Sequence, residues 1–345
     1  MQRWSSLAEV PPGFGPSVVT VGNFDGVHRG HQAVLGRLAD DARTGGAAAV
    51  AVTFDPHPVA VLRPEQAPTP LQGLRRRLDL LERTGLDAVL VMEFTRELAT
   101  WSPERFVADV LVGALHARAV VVGRDMRFGH RNRGDVTTLR ELGAVHGFDV
   151  VLIEDLGAAD ETHPSGRRWS STWVRELLAV GDVAGAAEVL GRPHENTGRV
   201  VHGDHRGREL GYPTANLAPD AEGMVPADGV YAGWLTVLPE LCPHVRPGPH
   251  DGLGSHDGPG SGPLPAAISV GTNPTFDGLE RRVEAHVLDR TDLDLYGRLV
   301  RVEFVRRLRP TLRFDGIGPL VEQMKLDVDH SRELLVGGAV FRPEP

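Results

Sequence analysis

Apolar and polar positions follow two different rhythms along this chain, and the change falls near Thr197. Up to that point short, continuous apolar runs occupy residues 17–22, 47–54, 88–92, 119–123 and 149–153. Stretches of helical character lie between them at 31–43, 74–84 and 136–146, and Ser102-Pro103 supplies a cap and first-turn pair for another helix. Apolar strands alternating with helices predict a parallel sheet with helices on both faces, whose ligands bind beyond the carboxyl ends of the strands. A short alanine-rich helix is expected within 181–191. From Thr197 onward short strands are separated by glycines and prolines, at 198–203, 229–237, 266–270, 282–289 and 299–305, with a closing helix at 316–335. With the 213–216 segment counted, about six strands with glycine corners predict a small antiparallel β-barrel with a terminal helix. The fold class is α/β followed by β, and the expected domains are 1–186 and 187–345.

Composition narrows the function classes. At 345 residues the chain suits two domains, and 41% hydrophobic with 24% charged residues is ordinary for a globular protein. A net charge of −9 argues against a general nucleic-acid binder. Cys242 is the only cysteine, which rules out an intramolecular disulfide and fits a cytoplasmic setting. No apolar run approaches the roughly 18 residues of a membrane-spanning helix. Lys325 is the only lysine, and it does not follow a glycine-rich loop, so any ATP chemistry here proceeds without a P-loop.

The candidate chemistry of the first half gathers at the ends of its strands. After the first apolar run comes Gly22-Asn23-Phe24-Asp25-Gly26-Val27-His28-Arg29-Gly30-His31. Glycines let backbone amides approach a phosphate, a helix N-terminus adds partial positive charge, and histidines at i and i+3 can donate to phosphoryl oxygens. Asp55-Pro56-His57-Pro58 follows the second strand, and Gly123 to Gly129, with Arg124, Asp125, Met126 and Arg127, follows the fourth. Further on, Ser171 or Thr172 can cap a helix that carries Arg175 one turn in.

In the second half, Thr214 and Asn216 offer a hydroxyl and a carboxamide two apart, on one strand face, as neutral oxygens suited to Mg²⁺. In Val283-Glu284-Ala285-His286-Val287 the apolar residues share one face, and Glu284 shares the other with His286. Glu284 is a candidate general base, although the residues alone favour an exposed strand charge. Residues 242–265, crowded with Pro, Gly, His and Asp, read as a surface insertion, because the histidine spacing fits no standard metal pattern.

His28-Arg29-Gly30-His31 with Ser171-Thr172-Trp173-Val174-Arg175 resembles the paired motifs of the HIGH-type nucleotidyltransferases. The longer string from Val21 to His31, with Asp55 to Pro58, is similar to bacterial bifunctional riboflavin kinase/FAD synthetases. Arg208-Glu209-Leu210-Gly211-Tyr212-Pro213-Thr214-Ala215-Asn216, Gly229 to Gly233, Ser269 to Phe276 and Val283 to His286 look like the same family's kinase half. The resemblance implies a Rossmann-like domain that transfers AMP from ATP to FMN, and a barrel that phosphorylates riboflavin. It further implies an ATP site at Gly22, Phe24, Asp25, Gly26, His28 and His31, closed by Ser171, Thr172 and Arg175. His57, Pro58, Asp125 and Arg127 would face the flavin, although Met126 stands where an aromatic is common. In the kinase half it implies ATP contacts at Gly203, Arg208, Gly211, Pro213, Thr214 and Asn216, with Mg²⁺ on Thr214 and Asn216 and Glu284 as base. The catalytic set is then Glu284, His28, His31 and Arg175. Riboflavin, FMN and ATP are the expected partners, with no nucleic acid or membrane, in a monomer or weak homo-oligomer. A single-activity enzyme is one alternative; a non-enzymatic flavin or nucleotide sensor, or an RNA binder like the related synthetase folds, is the other.

Overall fold

The computed structural model describes residues 1–153, 166–203, 210–239, 262–272, 281–290 and 292–337. Contacts group the chain into two compact units, 1–69 with 74–169, and 70–73 with 170–345.

In the first unit six strands form one sheet: β1 (Gln2–Trp4), β2 (Ser17–Val21), β3 (Ala48–Asp55), β4 (Ala88–Glu93), β5 (Ala117–Val122) and β6 (Asp149–Leu152). Their order is β1-β4-β3-β2-β5-β6, and every pairing is parallel. Successive residues feed opposite faces, as the strand period of two requires. Val19, Val50, Val52, Leu90 and Val120 enter one core, and Val18, Ala49, Ala51, Val89 and Val121 enter the other.

The helices of this unit are α1 (Arg29–Thr44), α2 (Pro58–Leu62), α3 (Leu74–Glu82), α4 (Pro103–Phe106) and α5 (Val136–His146). Val34, Leu35, Leu38, Ala39 and Ala42 recur at helical spacing and bury one face of α1. Ser102 and Asp135 accept hydrogen bonds from the first turns of α4 and α5, as N-caps do. Two features exceed the sequence expectation. Strand β1 adds an edge through its pairing with β4, and α4 continues in wider π turns over Val107–Ala114.

The second unit opens with α6 (Ser171–Ala179) and α7 (Val183–Leu190). Six strands follow: β7 (His194–Val201), β8 (Ala215–Leu217), β9 (Gly229–Val237), β10 (Leu264–Thr272), β11 (Arg281–Val287) and β12 (Leu299–Arg309), before the last helix, α8 (Ile317–Val336). They close into an antiparallel barrel in the order β10-β11-β8-β7-β12-β9. Tyr231 and Phe304 fill it edge to face at 5.4 Å. Leu335 of α8 packs outside with Ala232, Trp234 and Val305, and Asp327 of the same helix is paired with Arg309 at 2.7 Å.

Two sequence expectations are corrected. The cap of α6 is Ser170, whose Oγ accepts from Trp173 N at 3.2 Å, so neither Ser171 nor Thr172 caps it. Three successive hydroxyl residues each suit the role, and Ser170 is the one that stays extended while Ser171 is already helical. Strand β10 starts at Leu264, so the last two residues of the 242–265 segment are ladder rather than insertion. Residues 240–261, Arg208 and the Asn273 to Phe276 motif lie outside the described residues.

Candidate active sites

Strand β2 is the point where the sheet reverses direction, with β3 and β4 to one side and β5 and β6 to the other. Such a switch point opens a crevice at the carboxyl end of the strand. The loop Gly22–Val27 leaves β2 there and enters α1, with His28 as N-cap: its Nδ1 accepts from the His31 N–H at 3.3 Å. That bond leaves the neutral His28 ring with its proton on Nε2, a donor. The two rings stack 3.7 Å apart at 20°. Burial, and then the neighbouring His28, holds the His31 imidazole well below its ordinary range, so it is neutral at pH 7. His31 Nδ1 is buried and, among the described residues, has no hydrogen-bond partner.

The glycines and Phe24 have identifiable work. A Cβ at Gly22 would lie 3.0 Å from the Phe24 ring, and a Cβ at Gly30 3.2 Å from both His28 Nδ1 and Trp169 Cβ. Phe24 is a core residue, and its ring meets His31 edge-on at 5.4 Å. Gly26 turns the loop at φ +85°, while Asp25 is buried.

The residues expected on the flavin side separate into two groups. His57 Nδ1 accepts from Val59 N at 3.2 Å at the start of α2, where Pro58 is the first residue. Its Nε2 lies 3.0 Å from Asn23 Nδ2, so the two side chains meet at the mouth of this loop. Asp125 and Arg127 are exposed; Asp125 Oδ1 lies over Gly123, and Arg127 donates to Met126 O at 3.0 Å. Met126 packs against the core. Ser171, Thr172 and Arg175 lie on α6, which the contacts group with the second unit.

Three residues of this site escaped the sequence reading. Asn23 links the β2 loop to His57. Trp169 lies beside Gly30, and Arg29 stands 5.9 Å over its ring. Arg77 of α3 donates to Asn23 O and Phe54 O, both at 3.1 Å. Burial lowers the Arg77 pKa, and Asp55 and Asp25 oppose that change, so the guanidinium stays a cation. Asn23 stands inside the Gly22–His31 motif without having been given a role, and Trp169 stands next to the Ser170 cap; Arg77 carried no local signal.

The second constellation lies at the barrel mouth. Asn216 of β8, 7% exposed, donates Nδ2 to Thr214 Oγ1 at 3.1 Å. A Cβ at Gly203 would sit 2.6 Å from that amide, so glycine is required for the carboxamide to lie flat on the backbone. Gly211 turns the chain into this segment at φ +86°. Gly203, Pro213, Thr214 and Asn216 line a cleft together with Arg290 and Tyr296. His202 stacks on Tyr296 at 3.9 Å. Glu284 is the direct ladder partner of Asn216, and opposed residues of an antiparallel pair project to the same face. Val283, Ala285 and Val287 are buried on the opposite face of β11. His286 Nδ1 donates to Pro213 O at 2.8 Å, tying β11 to the Thr214 turn. Arg290 and Tyr296 were not anticipated, because the barrel alone brings them to this cleft.

Thr214 and Asn216 each supply a hard, neutral oxygen, their side chains are joined by the Nδ2–Oγ1 hydrogen bond, and Gly203 leaves the carboxamide room. That donor set fits Mg²⁺ held together with nucleotide phosphates.

Comparison with known proteins gives matches in both halves. The family model for FAD synthetase matches residues 12–167, and that for riboflavin kinase matches residues 190–335. A bifunctional riboflavin kinase/FMN adenylyltransferase of Escherichia coli K12 is 36% identical over 92% of each chain. One from Pseudomonas fluorescens is 36% identical over 98% of this chain and 99% of its own. The crystal structure of a macrolide-efflux protein from Streptococcus pneumoniae superposes with a TM-score of 0.75 at 28% identity, covering 96% of this chain and 98% of the other. Among the described residues no helix is long and apolar enough to cross a membrane.

Proposed function

We propose, for a chain that belongs to the bifunctional riboflavin kinase/FMN adenylyltransferase family, that its two reactions run at the two constellations just described. The chain converts riboflavin and ATP to FMN, and FMN and ATP to FAD. The assignment of residues to those reactions is our reading. The observation that carries it is the segregation of the chemistry: the stacked histidine pair falls in one compact unit, and Thr214, Asn216 and Glu284 fall in the other. For function we divide the chain at 1–186 and 187–345, which assigns Ser171, Thr172 and Arg175 to adenylyl transfer.

In adenylyl transfer a phosphate oxygen of FMN attacks the α-phosphorus of ATP, and the bond to the β-phosphate breaks to release pyrophosphate. No protein nucleophile is needed; the demand is in-line placement and neutralisation of the leaving group. The amides of Gly22 to Gly26, the α1 N-terminus and neutral His28 and His31 meet it by hydrogen bonding. Arg175 adds a cation. His57, Pro58, Asp125 and Arg127 are assigned to the flavin side.

In the kinase reaction the ribityl 5′-hydroxyl attacks the γ-phosphorus of ATP, ADP departs, and Glu284 takes the hydroxyl proton. Gly203, Arg208, Gly211 and Pro213 are assigned to the nucleotide, and Thr214 and Asn216 would hold Mg²⁺. When bound, that ion would neutralise charge on the phosphate oxygens. We assign the enzyme to the cytoplasm, as a monomer or weak homo-oligomer acting without nucleic acid or membrane.

The test is His31→Ala assayed with riboflavin, ATP and Mg²⁺, following both products in time. FAD formation should be lost while FMN formation continues. Equal loss of both activities would overturn the assignment of two separate sites.

A further inference from the structure

The loop that carries the histidine pair is held in an uncommon backbone conformation. Phe24 (φ +48°), Gly26 (φ +85°) and Val27 (φ +38°) all lie in the left-handed region. Glycine adopts it freely; phenylalanine does not, and a β-branched valine there is a true outlier. Such a loop persists only if its surroundings over-determine it, and sites of this kind cluster where geometry matters for function.

The fastenings are visible at both ends. Val27 O accepts from Gln32 Nε2 at 2.7 Å, and within the loop Val27 N donates to Phe24 O at 3.2 Å. At the other end Asn23 O accepts twice, from Arg77 Nη1 at 3.1 Å and Thr53 Oγ1 at 3.3 Å. The second arm of the same guanidinium reaches Phe54 O at 3.1 Å and Asp55 Oδ1 at 3.3 Å. Arg77 is 6% exposed, and Thr53 is fully buried. One planar fork thus ties the exit of β2 to the exit of β3, and only Pro56 separates Asp55 from His57. An ammonium group is a point charge and cannot span those acceptors as the fork does.

We propose that Arg77 is a positioning residue for adenylyl transfer: through Asn23 O and Phe54 O it fixes the strained Asn23–Val27 loop, and with it His28 and His31, in register with the His57 turn. The proposal rests on the reading that the histidine pair binds ATP phosphates. Arg77 acts through the backbone and touches no reacting atom. Its loss lets the loop relax toward ordinary φ values and moves the donors by a fraction of an ångström to an ångström.

The test uses the full-length protein with Arg77→Met, Arg77→Lys and Thr53→Val, and His31→Ala as reference. Adenylyl transfer is measured as kcat and KM per folded molecule well below the thermal midpoint, with FMN formation in the same preparations as internal control. A misplacement of about 1 Å costs up to ~10²-fold in rate, so Arg77→Met should lower kcat by about 30- to 100-fold. Arg77→Lys should recover only part of that loss, Thr53→Val should lose about threefold, and FMN formation and the KM for FMN should stay put. A purely structural arginine would lower the thermal midpoint and leave kcat unchanged. Wild-type kcat in Arg77→Met, with FAD formation lost in His31→Ala, overturns the role of Arg77 alone. Wild-type FAD formation in His31→Ala overturns the site reading beneath it. Should Arg77→Met fail to fold, wild-type kcat in both Arg77→Lys and Thr53→Val overturns the proposal.

Discussion

His194, the first residue of β7, gives a pH dependence that can be worked through in full. It is 2% exposed, its Nε2 donates to Met224 O at 2.6 Å, and its ring lies nearly parallel to Phe304 at 6.2 Å. Burial pushes its pKa down to about 4 and Arg192 acts in the same direction, against the opposing pull of the Met224 hydrogen bond and Glu195. In the unfolded chain the ring returns to about 6.5. Between those values the unfolded state binds a proton that the folded state refuses, so stability is complete above about pH 6.5 and falls with pH toward 4. Linkage puts the loss between about pH 7.5 and pH 5 at about 2 kcal/mol, since a tenfold change in proton affinity corresponds to roughly 1.4 kcal/mol. His194→Gln keeps an N–H donor and does not titrate. Amide hydrogen exchange of the full-length protein, read on the β7, β9 and β12 segments, reports the opening free energy of the barrel in both forms. The difference between wild type and variant should shrink by about 2 kcal/mol as pH falls over that range. A difference that stays constant would mean that His194 protonates within the fold, and the burial argument would fail.

Two further substitutions probe the cleft that we assign to the kinase reaction. Gly203→Ala places a methyl group 2.6 Å from the Asn216 amide; the carboxamide must swing away, so the KM for MgATP should rise about tenfold or more while FAD formation from supplied FMN and the thermal midpoint hold, and an unchanged KM would remove Asn216 from the nucleotide site. Glu284→Gln removes the proton acceptor and keeps the size, so FMN formation should fall by about 10²- to 10⁴-fold with riboflavin binding preserved in a fluorescence titration; an undiminished rate would return Glu284 to the role of an exposed strand charge.

What was legible in the sequence followed the reach of local physics. The expected helix over 136–146 appears at Val136–His146, because Asp135 caps it and Gly147 ends it at φ +82°. Apolar runs located β2 to β6 to within two residues at either end, and β2, β3 and β4 are buried along most of their length. Gln2–Trp4 has no such pattern; it is a strand only because β4 offers it an edge. The same division separates the site residues. Gly22, His28, His31, Thr214 and Asn216 are recognisable because the ligand chemistry we assign to them would demand those side chains at those spacings. Arg77 follows Arg75 and Arg76 in a run that reads as a solvated helix face, yet it is the buried one of the three. Its partners Asn23 O and Phe54 O are backbone atoms, which every residue type supplies, so no pattern of letters could have signalled them. A sequence therefore displays the groups that meet the substrate more readily than the groups that hold those in place. Variants that leave both histidines intact and still lose adenylyl transfer should accordingly concentrate at positions such as Arg77 and Thr53, which hold the loop from behind.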